Sequence, residues 1–466
     1  MKVAILLLSV LSVAHSYKIL CMFPVPTRSH NILGKGIASA LLAAGHEVTY
    51  VTPYPDIMKP AKGLSIVDVS ETTAVFKTVT YAAALQVPWI LLSGTVMSTH
   101  MEQLVDDVRT IPLLPAILLE FPVPMNLWQR LVNTAAISSV LPSRRDQVEN
   151  EQLYHQLFDP IAAARGVSLP PYYDALYNVS ILLSNSHPSM THAQTLPPNV
   201  VQIAGYHIDS KIPPLPKDLQ ELLDGSPKGV VYFSMGSVVK SSMLPPEVRD
   251  DLIRILGALP YTVLWKFEDS LEGLPKNVHV RPWMPQPSIL AHPNVKVFIT
   301  HGGILSSIEA LNAGVPLLAI PVYGDQRTNA LRAQQTGYAL SVPYQPWSPD
   351  ALKSALEEIL SNDSYQKTAR RLSKVFHTRP VESSKLISHY VEVAIETQGA
   401  YHLRSPSRHY VWYERYMLDQ LAVVLLALYI FVKVIKTVFR ALKNLVTSSD
   451  KGVVKRDKKK SAKKSQ

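Results

Sequence analysis

A single cysteine, Cys21, in 466 residues excludes an intrachain disulfide framework, a CxxC redox site and a multi-cysteine zinc site. It sits in an apolar, strand-like run, where a core position is expected. An excess of one charge is also missing from most of the chain. The formal charge of +10 is confined to the end: residues 433–466 hold twelve Lys/Arg and two acids, leaving 34 of each sign in residues 1–432. A neutral body argues against nucleic acid as a partner, because phosphate-backbone recognition needs cations clustered on the folded surface. No G-x-G-x-x-G follows the first strand-like segment of either half, at 18–24 or 230–235, which disfavours a Rossmann oxidoreductase. No internal repeat is found. At 47% apolar residues, the chain is long enough to bury large cores in two or three domains.

Both ends carry addressing signals. Residues 1–16 begin with Lys2, continue through an apolar run and close on Ala14-His15-Ser16, the small-x-small pattern of a signal-peptidase site. A buried first strand is the competing reading. Near the other end, residues 421–432 are uninterruptedly apolar, too short alone for a hydrocarbon core of about 30 Å. Trp412, Tyr413 and Tyr416 on one side and Lys433, Lys436 and Arg440 on the other extend it to a span over 417–439. A helix lying along the membrane surface is the alternative. The basic tail, 440–466, is expected in the cytosol, which leaves the body lumenal. Two sequons, at Asn178 and Asn362, agree with that placement.

Between these ends the pattern is α/β. Residues 18–24, 31–44 and 47–52 read as strand, helix and strand; 64–70 reads as a third strand and 87–109 as largely helical. Residues 110–125 are apolar and proline-broken, and 125–138 reads as a further helix. The proline-rich stretch 209–228 reads as a linker. Beyond it the alternation is regular, with strands at 230–235, 262–266, 277–281, 295–300 and 315–320 and helices at 246–258, 303–313 and 326–336. Such alternation specifies a doubly wound parallel sheet with ligands at its strand carboxyl ends.

The chemistry concentrates in 283–326, WMPQPSILAHPNVKVFITHGGILSSIEALNAGVPLLAIPVYGDQ. A buried strand ends at His301-Gly302-Gly303 and runs into a helix, so free N–H groups and the positive end of the dipole favour a diphosphate. Ser306 adds a hydroxyl one turn in, and Glu309 a carboxylate for ribose hydroxyls. Trp283 and Gln286 offer a flat face and an amide to a base. Asp325 and Gln326 can hold sugar hydroxyls. Each has an ordinary alternative: Trp283 as core, His301 as a cap, Asp325 as the N-cap of the helix that follows.

This segment resembles the signature of the UDP-glycosyltransferases, in particular the membrane-bound, glucuronosyltransferase-like branch of the endoplasmic reticulum. Phe233-Ser234-Met235-Gly236-Ser237, Gly45-His46-Glu47-Val48 and the anchored C-terminus add to the likeness, and Lys463-Lys464 resembles a dilysine retrieval signal. The resemblance implies two Rossmann-like domains facing a cleft (GT-B type): 17–208 for a lipophilic acceptor, 229–400 for the UDP-sugar. It implies that Ser237, His301 and Ser306 contact the diphosphate, Trp283 stacks on uracil, Gln286 and Glu309 bind base and ribose, and Asp325 and Gln326 hold the sugar. At Leu305 many relatives carry asparagine, so one phosphate-side contact is absent.

The implied reaction is inverting displacement at the anomeric carbon, with His30 as the base. No Asp-x-Asp motif is present, so metal independence is expected, with UDP-glucose or UDP-glucuronate as co-substrate. The family's aspartate partner for that histidine, as in a Ser-His-Asp triad, is not found. Residues 109–120 run almost directly into Pro124-Met125-Asn126-Leu127-Trp128-Gln129-Arg130, which resembles a segment the family places tens of residues later. Asp106 and Asp107 are weak substitutes. A donor-binding, catalytically impaired partner of active enzymes, in homo- or hetero-oligomers, is the alternative function.

Overall fold

The computed structural model describes residues 16–71, 81–105, 114–116, 119–139, 144–191, 193 and 195–462. The expected leader, apart from Ser16, the acidic pair Asp106-Asp107 and the Lys463-Lys464 signal lie outside these residues. The chain divides into two units, at Ser405/Pro406.

In the first unit β1 (Lys18–Met22), β2 (Glu47–Thr52) and β3 (Leu64–Asp68) form a parallel sheet in that order. The helix Arg28–Ala43 links β1 to β2 and stops at Gly45, whose φ of 92° suits a residue without a Cβ. A second parallel sheet holds β4 (Trp89–Ser93), β5 (Val179–Ser184) and β6 (Val200–Gln202). Here the expected helix over 87–109 is corrected: it is β4, followed by short helical turns at Thr99–Glu102 and Gln103–Val105. A five-residue run such as Trp-Ile-Leu-Leu-Ser has no periodicity that separates strand from buried helix. β5 is buried on both faces and lacks alternation for the same reason.

Residues 209–228 are more than a linker. They contain the helix Lys217–Asp224, which starts after Pro216, stops at Gly225 and buries Leu219 and Leu223, one turn apart.

The second half matches its expected alternation closely. β7 (Val230–Ser234), β8 (Thr262–Lys266), β9 (Val278–Arg281), β10 (Val295–Thr300), β11 (Leu317–Ala319) and β12 (Ala339–Ser341) form one parallel sheet, ordered β12-β11-β10-β7-β8-β9. Strand alternation sends Val230 and Tyr232 into one core and Val231 and Phe233 into the other, so both faces are covered. The order reverses between β7 and β10, and the crevice opens at their carboxyl ends.

The chain then returns. The helix Ser383–Glu396, within the 229–400 span by sequence, buries Ile387, Val391 and Ala394 in the core built by Ile37, Leu41, Tyr50 and Ile181. Both sequon asparagines have structural partners: Asn178 accepts from Arg404 at 2.6 Å, and Asn362 caps a helix by accepting from the Ser364 amide at 3.0 Å.

The second unit carries one long helix, Leu418–Ala462. Its apolar stretch, Leu418–Asn444, is 27 residues, about 40 Å at 1.5 Å per residue, enough to cross a membrane.

Candidate functional site

Asn31 fixes the start of the helix Arg28–Ala43. Its fully buried amide donates to the carbonyls of Val25 (2.8 Å) and Thr27 (3.0 Å), and its oxygen accepts from Thr52 at 2.5 Å. Tyr50 donates to the Asn31 carbonyl at 3.0 Å. The preceding residue, His30, is thereby held at the crevice, where its Nδ1 shares a hydrogen bond with Thr27 Oγ1. Burial lowers its pKa below 6.5, and the Asp325 carboxylate across the crevice opposes that shift.

Opposite stand the loops after β7 and β10. Gly236, with φ of 90°, lies where a Cβ would sit 2.6 Å from His301 Cε1; a Cβ on Gly303 would sit 2.4 Å from His301 Nε2. The imidazole is thus cradled between two glycines, both of which it requires. Burial, aided by the nearby Lys266 charge, lowers its pKa to about 4, so it is a neutral hydrogen-bonding group at physiological pH. Among the described residues His301 makes no side-chain cap bond, and its Nδ1 meets Thr300 Oγ1 at 3.3 Å.

Gln286, Ser306, Glu309 and Tyr232 form one polar cluster. The Gln286 amide nitrogen donates to Glu309 (2.7 Å) and to Ser306 (3.4 Å), and its oxygen accepts from Tyr232 (3.3 Å). Burial raises the Glu309 pKa to about 7, against the Gln286 hydrogen bond, which lowers it. Buried His207 stands 3.7 Å from the same carboxylate, neutral because burial drops its pKa to about 4.

Trp283 is no core residue: it is 56% exposed, with Arg28 and Lys266 each 5.7 Å from its ring centroid. Asp325 makes no side-chain cap bond to its helix; its carboxylate accepts from Asn329 at 2.8 Å. The Gln326 oxygen accepts from the amides of Val322 (2.8 Å) and Tyr323 (3.1 Å), which leaves its amide nitrogen for a ligand.

All nine residues singled out from the sequence, His30, Ser237, Trp283, Gln286, His301, Ser306, Glu309, Asp325 and Gln326, line a single cavity of about 880 Å³. That is the upper range of small-molecule sites. Its N-terminal wall carries an apolar patch, Ile32, Leu33, Leu91, Leu92 and Met101, among polar residues that include Arg28, Lys35 and Asp56. Sequence reasoning missed Lys266, Arg28, Tyr232 and His207, which also line it. Only Lys266 left a signal, as a cation closing an otherwise apolar strand.

The sequence profile described as "UDP-glucoronosyl and UDP-glucosyl transferase" matches residues 55–452. Among curated relatives, UDP-glucosyltransferase 2 of Dactylopius coccus is 32% identical over 72% of this chain and 65% of its own length. UDP-glycosyltransferase UGT5 of the same insect is 28% identical over 94% of each chain, in an alignment of 503 residues. Mouse UDP-glucuronosyltransferase 1A7 is 29% identical over 76% of this chain and 66% of its own. For the first and third of these, the chain spans just under two thirds of the relative's length. A UDP-glucose:anthocyanidin 3-O-glucosyltransferase solved with UDP superposes with a TM-score of 0.55, at 15% identity over 82% of this chain and all of that one. The calicheamicin glycosyltransferase CalG4 gives 0.54, at 18% identity over 82% and 99%. At such identities the likeness is one of fold, the GT-B arrangement of two Rossmann-like halves. With the profile covering most of its length, the chain belongs to the UDP-glucuronosyl and UDP-glucosyl transferase family.

Proposed function

We propose that the chain transfers a hexose or hexuronate from a UDP-sugar to a hydroxyl of a small lipophilic acceptor, by inverting displacement without a metal. The observation that carries this reading is the meeting of the nine side chains singled out from the sequence in one cavity that also holds an apolar patch. Uracil lies against Trp283, Gln286 and Glu309 take base and ribose, and Ser237, Ser306 and neutral His301 donate to the diphosphate. Asp325 and the Gln326 amide hold the sugar. The acceptor sits on the Leu33, Leu91 and Leu92 side.

In the chemical step His30 Nε2 takes the acceptor's hydroxyl proton while that oxygen bonds to the anomeric carbon. The bond from that carbon to the β-phosphate oxygen breaks, and UDP leaves with the electron pair on the opposite face. Thr27 helps: an Nδ1–H donated to its hydroxyl leaves Nε2 as the basic nitrogen. The body lies in the lumen of the endoplasmic reticulum, held by the helix over Leu418–Asn444 with its basic end in the cytosol.

A donor-binding but catalytically impaired partner subunit is the second reading, favoured by one observation. Among the described residues no carboxylate hydrogen-bonds His30.

The test is transfer by the full chain from UDP-glucose and UDP-glucuronate to a panel of small phenols, with and without chelator. His30→Ala is expected to keep UDP binding and to lose transfer by roughly 10²–10⁴-fold, the range of general-base catalysis. His301→Ala is expected to lose UDP binding; an unchanged affinity would sink the donor-site assignment. Wild-type binding without transfer would move the conclusion to the second reading.

A further inference from the structure

The diphosphate of a nucleotide sugar needs positive charge, and the imidazole next to its expected seat does not supply it. His301 is held neutral, since burial and a neighbouring cation both disfavour its protonated form. That neighbouring cation is Lys266, the last residue of β8, whose side chain is 8% exposed. Its Nζ donates to the Gly236 carbonyl at 2.9 Å, directly beside Ser237. It also donates to Glu268 at 2.6 Å and stands 5.7 Å from the centre of the Trp283 ring. An ammonium has three donors, and these two oxygens fill two of them. Glu268 is itself fixed, accepting from the Ser242 amide at 3.2 Å. Arg28, equally near Trp283, is less suited: it faces Asp56 at 3.6 Å, and its side chain is 43% exposed.

We propose that Lys266 is a donor-binding residue, the buried cation that neutralises the UDP diphosphate and the charge that develops on it as the sugar leaves. Glu268 is its counter-ion in the empty cleft. The proposal rests on the donor-site reading above and deepens it. A fixed ammonium in a water-poor wall stabilises phosphate charge more strongly than an exposed one, and it needs no reorganisation when the glycosidic bond breaks.

The test compares two ligands that differ only in the diphosphate, UDP and uridine, by calorimetric titration of the full chain in detergent micelles. Lys266→Met is expected to weaken UDP by roughly ten- to a hundredfold, the worth of a charge-assisted hydrogen bond, and uridine by less than twofold. Lys266→Arg should recover most of the loss. Equal weakening of both ligands would mean that Lys266 only shapes the fold, and would overturn the proposal, as would no change in either. Should Lys266→Met not fold, Glu268→Gln serves instead. Removing the counter-ion should strengthen UDP severalfold and leave uridine unchanged, and an unaltered or weakened UDP affinity would overturn the proposal. A wild-type chain that binds no UDP at all would instead sink the donor reading itself.

Discussion

Glu309 shows how one buried residue imposes a pH dependence on the site. Its folded-state pKa, about 7, lies above the ordinary 4.5 because burial disfavours the carboxylate. A carboxyl that resists ionisation when folded stabilises the fold fully below about 4.5. That stabilisation fades as pH rises and is gone once pH passes about 7. Thermal melts of the ligand-free protein should therefore fall across this window relative to Glu309→Gln, which cannot ionise; parallel curves would remove the cause. In the proposed donor site Glu309 accepts from ribose hydroxyls, and a carboxylate accepts more strongly than a carboxyl, so the ratio of wild-type to Glu309→Gln UDP affinity should rise through pH 7. Glu309 was legible from sequence because its spacing from His301 and Ser306 is set by one helix. Its partners were not: Gln286 and His207 are 23 and 102 positions away, and only the folded chain brings them there.

The helix Arg28–Ala43 carries the proposed base, and its depth against the sheet is set by Gly34. A Cβ there would fall 2.4 Å from Tyr50 Oη and 2.5 Å from Phe23 Cγ. Gly34→Ala must therefore lift the helix or displace both rings, at about 1–3 kcal/mol for an overpacked core. The expected signature is a lower melting temperature and reduced transfer with UDP affinity unchanged, because the donor wall belongs to other elements. Lost UDP affinity would show the damage to be global. At this scale the second half was readable, since short apolar strands alternate regularly with longer helical segments, two of which, Ile304–Ala313 and Gln326–Thr336, stop at Gly314 and Gly337. The first half was less so: β4 and β5 are short, mostly apolar and without a clear period, and the helix Lys217–Asp224 sits among prolines that read as a joint.

The two halves of the first unit are expected to unfold as one body, because of the returning helix Ser383–Glu396. It buries Ile387, Val391 and Ala394 against N-terminal residues, while the segment just before it belongs to the C-terminal core through Ala369 and Phe376. Arg327 and Glu120 add an ion pair between the halves at 2.9 Å, worth little at an exposed site. Ile387→Ala should cost about 2–5 kcal/mol, as for other buried large-to-small changes, and should lower the melting of both halves together. The cavity between them gives a sharper test. A ligand held only by the C-terminal wall still stabilises everything that must unfold with it, by about 2.7 kcal/mol at a hundred times its dissociation constant. UDP at that excess should move a single transition upward by several degrees in the wild type and leave His301→Ala unmoved. Two transitions, with UDP shifting only one, would show that the returning helix does not couple the halves, and the mutational effects at His30 and at the donor wall would then be independent.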